Sequence, residues 1–238
     1  LASILCGTLT VGPAPSDYPS LTAAFADLNL KGIQAGCSVV FELKSNYTVS
    51  AETLPIAYTY TAGSASSTVT VRPAADATSL SLSGSNSTAI LSIVNGDYLT
   101  VDGRAGGTGS RVLTISNTGT SGAAIRLADD ATNNRIQYCQ VQGSVTSTSS
   151  GVIFFSTSAP AVTGNSNNVI DNCEVRDASG GLPANLVYAS GSSAAPNAAN
   201  TVSNSSLRNF FSASSTSSAI NLSGANNTGW TISGNGIY

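Results

Sequence analysis

The chain has 238 residues, enough for one substantial domain, and a formal net charge of −3 from nine basic and twelve acidic residues. Only 9% of residues are charged, against roughly 25% in an average soluble protein, so no basic stripe follows a phosphate backbone and nucleic acid is a poor candidate partner. The absence of histidine removes Ser/His/Asp and Cys/His relays, no run reaches the ~18 apolar residues that span a bilayer, and LASIL at the start is too short for a signal-peptide core.

Residues 7–12, GTLTVG, alternate as a strand that PAPSDYP then breaks. Ser20 can cap a following helix in which Leu21, Phe25 and Leu28 share one face, with Gly32 close after its end. Such a helix suits the end of a stack of strands, where it covers an exposed apolar interior. SVVFELKSNYTV (38–49) reads as the first full rung, and STVTVRPA (67–74) continues the alternation. AILSIV (89–94) and DYLTVDG (97–103) form an early, looser copy of a two-strand unit that recurs towards the carboxy terminus.

From residue 133 the repetition is close. NNRIQYCQV (133–141) matches NNVIDNCEV (167–175), with weaker copies NTVSNSSL (200–207) and NTGWTISGNGI (227–237). Val101, Ile136, Ile170, Val202 and Ile232 fall at equivalent places, about one rung apart. Between the copies lie AAIRLA (123–128), GVIFFS (151–156), NLVYAS (185–190) and SAINLS (218–223). A period of this size marks stacked units that cannot bury their apolar face alone. The expected fold is all-β: a right-handed single-stranded parallel β-helix with a short amino-terminal capping helix. Residues 1–37 supply the first strand and cap, and 38–238 the rungs.

YPSLTAAF followed by VVFEL and NYTV resembles the opening of right-handed parallel β-helix proteins of the pectate-lyase-like superfamily. SSTVTVRPA, NGDYLTVDGRAGGTGSRVLTISN and NNRIQYCQVQG are similar to a repeat family common in large secreted surface proteins of Bacteroidetes bacteria. That resemblance implies export, often through the type IX secretion system, as one module of a longer chain. The sorting domain of such chains is missing here, so this chain is expected to be one piece of a longer polypeptide or to stack head-to-tail on itself.

Four cysteines without methionine or histidine also fit an exported protein. Cys139 and Cys173 occupy equivalent positions; on adjacent rungs their Cα atoms would lie about 4.8 Å apart, within reach of a disulfide. The alternative is two stacked core thiols. Cys6 and Cys37 would then pair across the amino-terminal region, contributing about 3 kcal/mol.

Asn134, Asn168, Asn200 and Asn227 recur at one turn position, and Asn172 and Asn204 at another, which predicts ladders of stacked amides that fix register. Polysaccharide lyases of the resembled superfamily hold calcium with carboxylates beside an Arg or Lys base. Here RLADDATNNR offers Arg126, Asp129, Asp130 and Arg135, yet only a turn would let both aspartates meet one cation. Asp102 and Arg104, in VDGRAGG, are a second candidate, read first as turn chemistry. The triplet Asp171, Glu174, Asp177 faces Gln137, Gln140, Ser144 on one side and Ser203, Ser206, Asn209 on the other. An isolated triplet of this kind is weak ground for two-carboxylate hydrolysis. Phe154, Phe155, Tyr188, Phe210, Phe211 and Trp230 supply aromatic faces, with one of Phe154/Phe155 inside and its neighbour outside. The expected function is a non-catalytic secreted or cell-surface structural or adhesive module, with surface glycans as a possible partner. No catalytic residue or cofactor is assigned. The alternative is a polysaccharide-active enzyme, a calcium-assisted lyase ahead of a hydrolase.

Overall fold

The computed structural model describes residues 4–157 and 161–238; the first three residues of the LASIL segment lie outside them. Among the described residues the chain winds as a parallel β-solenoid of three long sheets, with a short two-stranded parallel pair, Asn197–Ala198 and Asn227–Thr228, beside them. The first sheet has eight strands: Gly7–Val11, Val39–Leu43, Val69–Pro73, Leu99–Asp102, Arg135–Gln137, Val169–Asp171, Thr201–Ser203 and Thr231–Ser233. The second stacks six, from Leu80–Gly84 through Gln140–Gly143 and Glu174–Asp177 to Gly236–Ile237, and the third stacks six, from Ile56–Tyr58 to Ser218–Ser223.

The expected register is observed: Val101, Ile136, Ile170, Val202 and Ile232 are successive partners in the first sheet. Alternation explains which residues point inward. Val39, Phe41 and Leu43 are buried in VVFEL while Val40 and Glu42 are not. Inward columns such as Leu91, Ile125, Ile153 and Val187 are in register in the third sheet and fully or almost fully buried.

The helix spans Leu21–Lys31, with the Ser20 hydroxyl accepting from Ala23 N and Gly32 ending it in the left-handed region. Leu21, Ala24, Phe25 and Leu28 are buried, and the Phe25 ring meets Phe41 and Tyr58 edge-on at 5.8 and 5.2 Å. The Glu52 carboxylate accepts the first free N–H groups, from Leu21 (2.6 Å) and Thr22 (2.8 Å), where a negative charge is favoured. The strand before the helix pairs in parallel with Val39–Leu43, so cap and rungs share one sheet.

NNVIDNCEV holds two strands where one was expected. Val169–Asp171 lies in the first sheet and Glu174–Asp177 in the second. Asn172 turns the corner between them with φ of 52°, as do Tyr138 at 52°, Asn204 at 51° and Gly234 at 66° in the other rungs. Glycine and asparagine tolerate this conformation.

Candidate functional site

The corner entering the first sheet is lined with amides. Asn168 Oδ1 accepts both the backbone N–H and the side-chain amide of Asn134 at 3.0 Å, and Asn200 Oδ1 accepts the same pair from Asn168 at 2.9 and 3.1 Å. All three asparagines are essentially inaccessible, so each buried polar atom needs such a partner. Asn227 is not their fourth member. It pairs in register with Asn197, and Asn165, Asn197 and Asn227 form a second ladder three residues earlier in the rung. Trp230 occupies the place above Asn200 and donates its indole N–H to Asn197 O at 2.9 Å. Asn172 and Asn204 form no amide stack; the Asn204 amide donates instead to Asp171 Oδ1 at 3.0 Å.

One disulfide joins Cys6 and Cys37. The expected second bridge is absent: Cys139 and Cys173 are buried free thiols. Parallel in-register neighbours keep their Cβ atoms near the ~4.8 Å stacking distance, whereas a disulfide favours about 3.5–4.5 Å. Their position also has a hydrogen-bonding task. In the next rungs the same place holds Ser205, whose hydroxyl accepts Cys173 N at 3.0 Å, and Asn235, whose amide oxygen accepts Ser205 N at 2.9 Å. The hydrogen bond with Cys173, then burial, push the Cys139 thiol well above the ordinary thiol value.

Asp129 and Asp130 both adopt positive φ, 52° and 71°, and so form a turn. The Asp130 carboxylate accepts N–H bonds of 2.7–3.0 Å from Val162, Thr163 and Gly164. Burial opposes its charge, and these donors outweigh burial and hold it below the usual carboxylate range. Gly164 is itself left-handed, and a Cβ there would collide with the Pro196 carbonyl. Arg126 and Arg135 do not converge on the aspartates. Arg126 lies on the third sheet and donates to Ser156 Oγ at 2.9 Å, and Arg135 lies on the first and donates to Gln137 Oε1 at 2.8 Å. Asp97, unmarked in the sequence, has its carboxyl pushed up by burial against two Thr132 donors, with the Asp130 charge adding to the rise.

On the outer face of the first sheet, Asp102 holds Arg104 at 2.6 Å and accepts the Gln137 amide at 2.8 Å. The Arg104 guanidinium sits 4.0 Å from the Tyr138 ring centroid. One rung on, Asp171 takes Ser203 Oγ at 2.7 Å, the Asn204 amide and, at 3.8 Å, Arg135. Asp171 and Glu174 face the expected residues, but Asp177 pairs with Gly143 and not Ser144. The Asp177 carboxylate is held by Asn209 at 2.9 Å and Gly180 N at 3.0 Å.

Glu174, on the second sheet, is surrounded by arginines. Arg208 contacts its carboxylate, Arg176 Nε lies 3.3 Å from Oε1 and Arg111 Nη1 3.7 Å from Oε2. Sequence reading missed this cluster. Its signal was the register: Leu207 pairs with Val175, so Arg208 follows Arg176 one rung later.

Outside the third sheet, Arg126, Phe154, Tyr188 and Asn221 form one column. Phe154 lies 5.6 Å from Tyr188 and, with Arg126 and serine and threonine side chains, lines a depression of about 250 Å³. Phe155 points inward and meets Trp230 at 5.0 Å, Phe210 packs on the core, and Phe211 is exposed. Depressions of about 550 and 440 Å³ have no ionisable side chain among their described lining residues, and one of about 370 Å³ is lined by Asp129 and Asp130 with Val94, Asn95, Ala161 and Val162. Among the described residues, no group of three or more His, Cys, Asp or Glu could hold a metal ion, and no helix is long and apolar enough to cross a membrane.

No protein-family model matches the chain, and no curated protein matches it. Among solved structures, the chain is similar to the alginate lyase from Paenibacillus sp. str. FPU-7, at 17% identity and a TM-score of 0.48. The match covers 84% of this chain and 57% of that enzyme, so the chain spans little more than half the enzyme's length.

Proposed function

We propose that the chain is a non-catalytic module, secreted or displayed at the cell surface, that serves as a rigid structural or adhesive element. The observation supporting this reading is that five of the six carboxylates nominated for chemistry are engaged within the fold. Asp130 closes on three backbone N–H groups, Asp102 on Arg104 and Gln137, Asp171 on Ser203 and Asn204, Asp177 on Asn209 and Gly180, and Glu174 on arginines. Calcium needs six to eight oxygen ligands, and a general base needs a lone pair aimed at substrate. The Cys6–Cys37 disulfide is consistent with an extracellular setting. The test is incubation with alginate and with polygalacturonate, with and without calcium, following the ultraviolet absorbance of an unsaturated uronate product. No product is expected. Calcium-dependent product that disappears in Asp130→Asn would overturn the reading in favour of a lyase.

A further inference from the structure

We propose that Arg111, Arg176 and Arg208 form a binding site for a tetrahedral oxyanion, the sulfate or phosphate ester of a polymer. Three guanidiniums meet around Glu174, with Asp177 the other carboxylate at hand. This leaves a local positive excess on a chain whose net charge is −3. The three side chains are about one-third exposed, at 33, 29 and 34%. They are open to a ligand, yet sheltered enough that their charge is only partly screened.

The donors outnumber the acceptors present. Each guanidinium carries five N–H groups, and Glu174 presents two oxygens. Arg176 and Arg208 both approach Oε1, and Arg111 also donates to Asn172 O at 3.0 Å. Arg176 Nε is buried and makes no hydrogen bond, its approach to Glu174 being off-axis. Such an orphaned donor is costly, and it shows that Glu174 does not saturate the arginines around it. A sulfate or phosphate group offers more acceptor oxygens than a carboxylate, and guanidinium is the group best shaped to receive them. The neighbouring outward residues, Gln140, Gln142 and Ser206, are uncharged and polar, which suits a hydrated, anionic chain crossing the rungs.

In this site Glu174 is a resident competitor for the arginines. Glu174→Gln should therefore strengthen binding, and the fold should accept it, because Gln140 holds the same register position in the adjacent rung. The experiment measures binding of wild type, Glu174→Gln and Arg111→Gln/Arg208→Gln to dextran sulfate, polyphosphate, polygalacturonate and neutral dextran, after confirming each fold by its melting transition. Wild type should bind dextran sulfate or polyphosphate above neutral dextran, and the tighter of the two identifies the oxyanion as sulfate or phosphate. Binding should weaken about tenfold in the double arginine variant and tighten several-fold in Glu174→Gln. Binding no stronger than to neutral dextran, unchanged binding in the folded variants, or polygalacturonate bound as tightly as both the sulfated and the phosphate polymer would overturn the proposal. If the arginine variant does not fold, Glu174→Gln alone decides. The inference deepens the non-catalytic reading by giving it a ligand class. Turnover would sink that reading and leave these data standing, whereas unaltered variants sink only this one.

Discussion

The corner entering the first sheet and the corner leaving it solve the same problem with different tolerance for sequence. On entry, Asn134, Asn168 and Asn200 each accept from one rung and donate toward another, and an amide carries the two donors and two acceptor lone pairs that this stacking uses. On leaving, a left-handed residue makes the turn. The next side chain accepts one N–H and donates to a nearby backbone carbonyl, Ser205 from Cys173 N and to Ser203 O, Asn235 from Ser205 N and to Val202 O; a hydroxyl or an amide can do this, and the column reads Cys139, Cys173, Ser205, Asn235. Asn168 accepts two bonds and donates two, which fixes residue identity; one bond accepted and one donated lets it drift. The outer charges gather beside the tolerant corner, where Arg104 covers Tyr138 and Arg111 reaches Asn172 O.

Breaking the entry ladder should cost most. Asn168→Ala removes the acceptor for two Asn134 groups and the donor to Ala131 O, leaving buried polar atoms unpaired. A loss of about 3 kcal/mol or more is expected in urea denaturation.

Asp130→Ala comes next, at about 1–3 kcal/mol, because three loop N–H groups lose one carboxylate. The pH dependence has a defined sign. The Asp130 carboxyl lies below its ordinary value in the fold. Its contribution is therefore complete above the unfolded value of about 3.9 and is lost as pH falls through the lower folded value. A midpoint difference between wild type and Asp130→Ala that persists below that window would contradict this.

The leaving corner should be more forgiving. Asn172→Ala places a Cβ residue at φ of 52° and should cost about 1 kcal/mol, with Asn172→Gly close to neutral. Equal losses for both would mean that side-chain contacts, and not the turn, set this position. The smallest effect is expected for Cys173→Ser, since Ser205 already fills the equivalent place. A change in melting midpoint of only a few degrees supports a hydrogen-bonding role for this column.

Much of the solenoid was legible because inward apolar residues repeat at rung spacing: Ile136, Ile170, Val202 and Ile232 aligned without any structure, and Ser20 with Gly32 bounded the helix. The second sheet was hidden. Ile170, Cys173 and Val175 all point inward on both sides of a corner, and strand alternation cannot register the left-handed residue between them. Asn227 was misplaced because two amide ladders run three residues apart and the NT that opens its repeat copies Asn200. The Glu174 cluster was missed because Arg111 and Arg208 lie on other rungs and only the register brings them together.

The central claim, that the nominated carboxylates are engaged in holding the solenoid, is tested most directly by carbon-13 NMR titration of the aspartate and glutamate carboxyls with and without calcium. Asp130 and Asp171 should titrate below the ordinary carboxylate range, Asp97 above it, and calcium should move none of them. An Asp130 or Asp171 that titrates at its ordinary value, or shifts when calcium is added, would contradict the account and reopen these residues as a cation site.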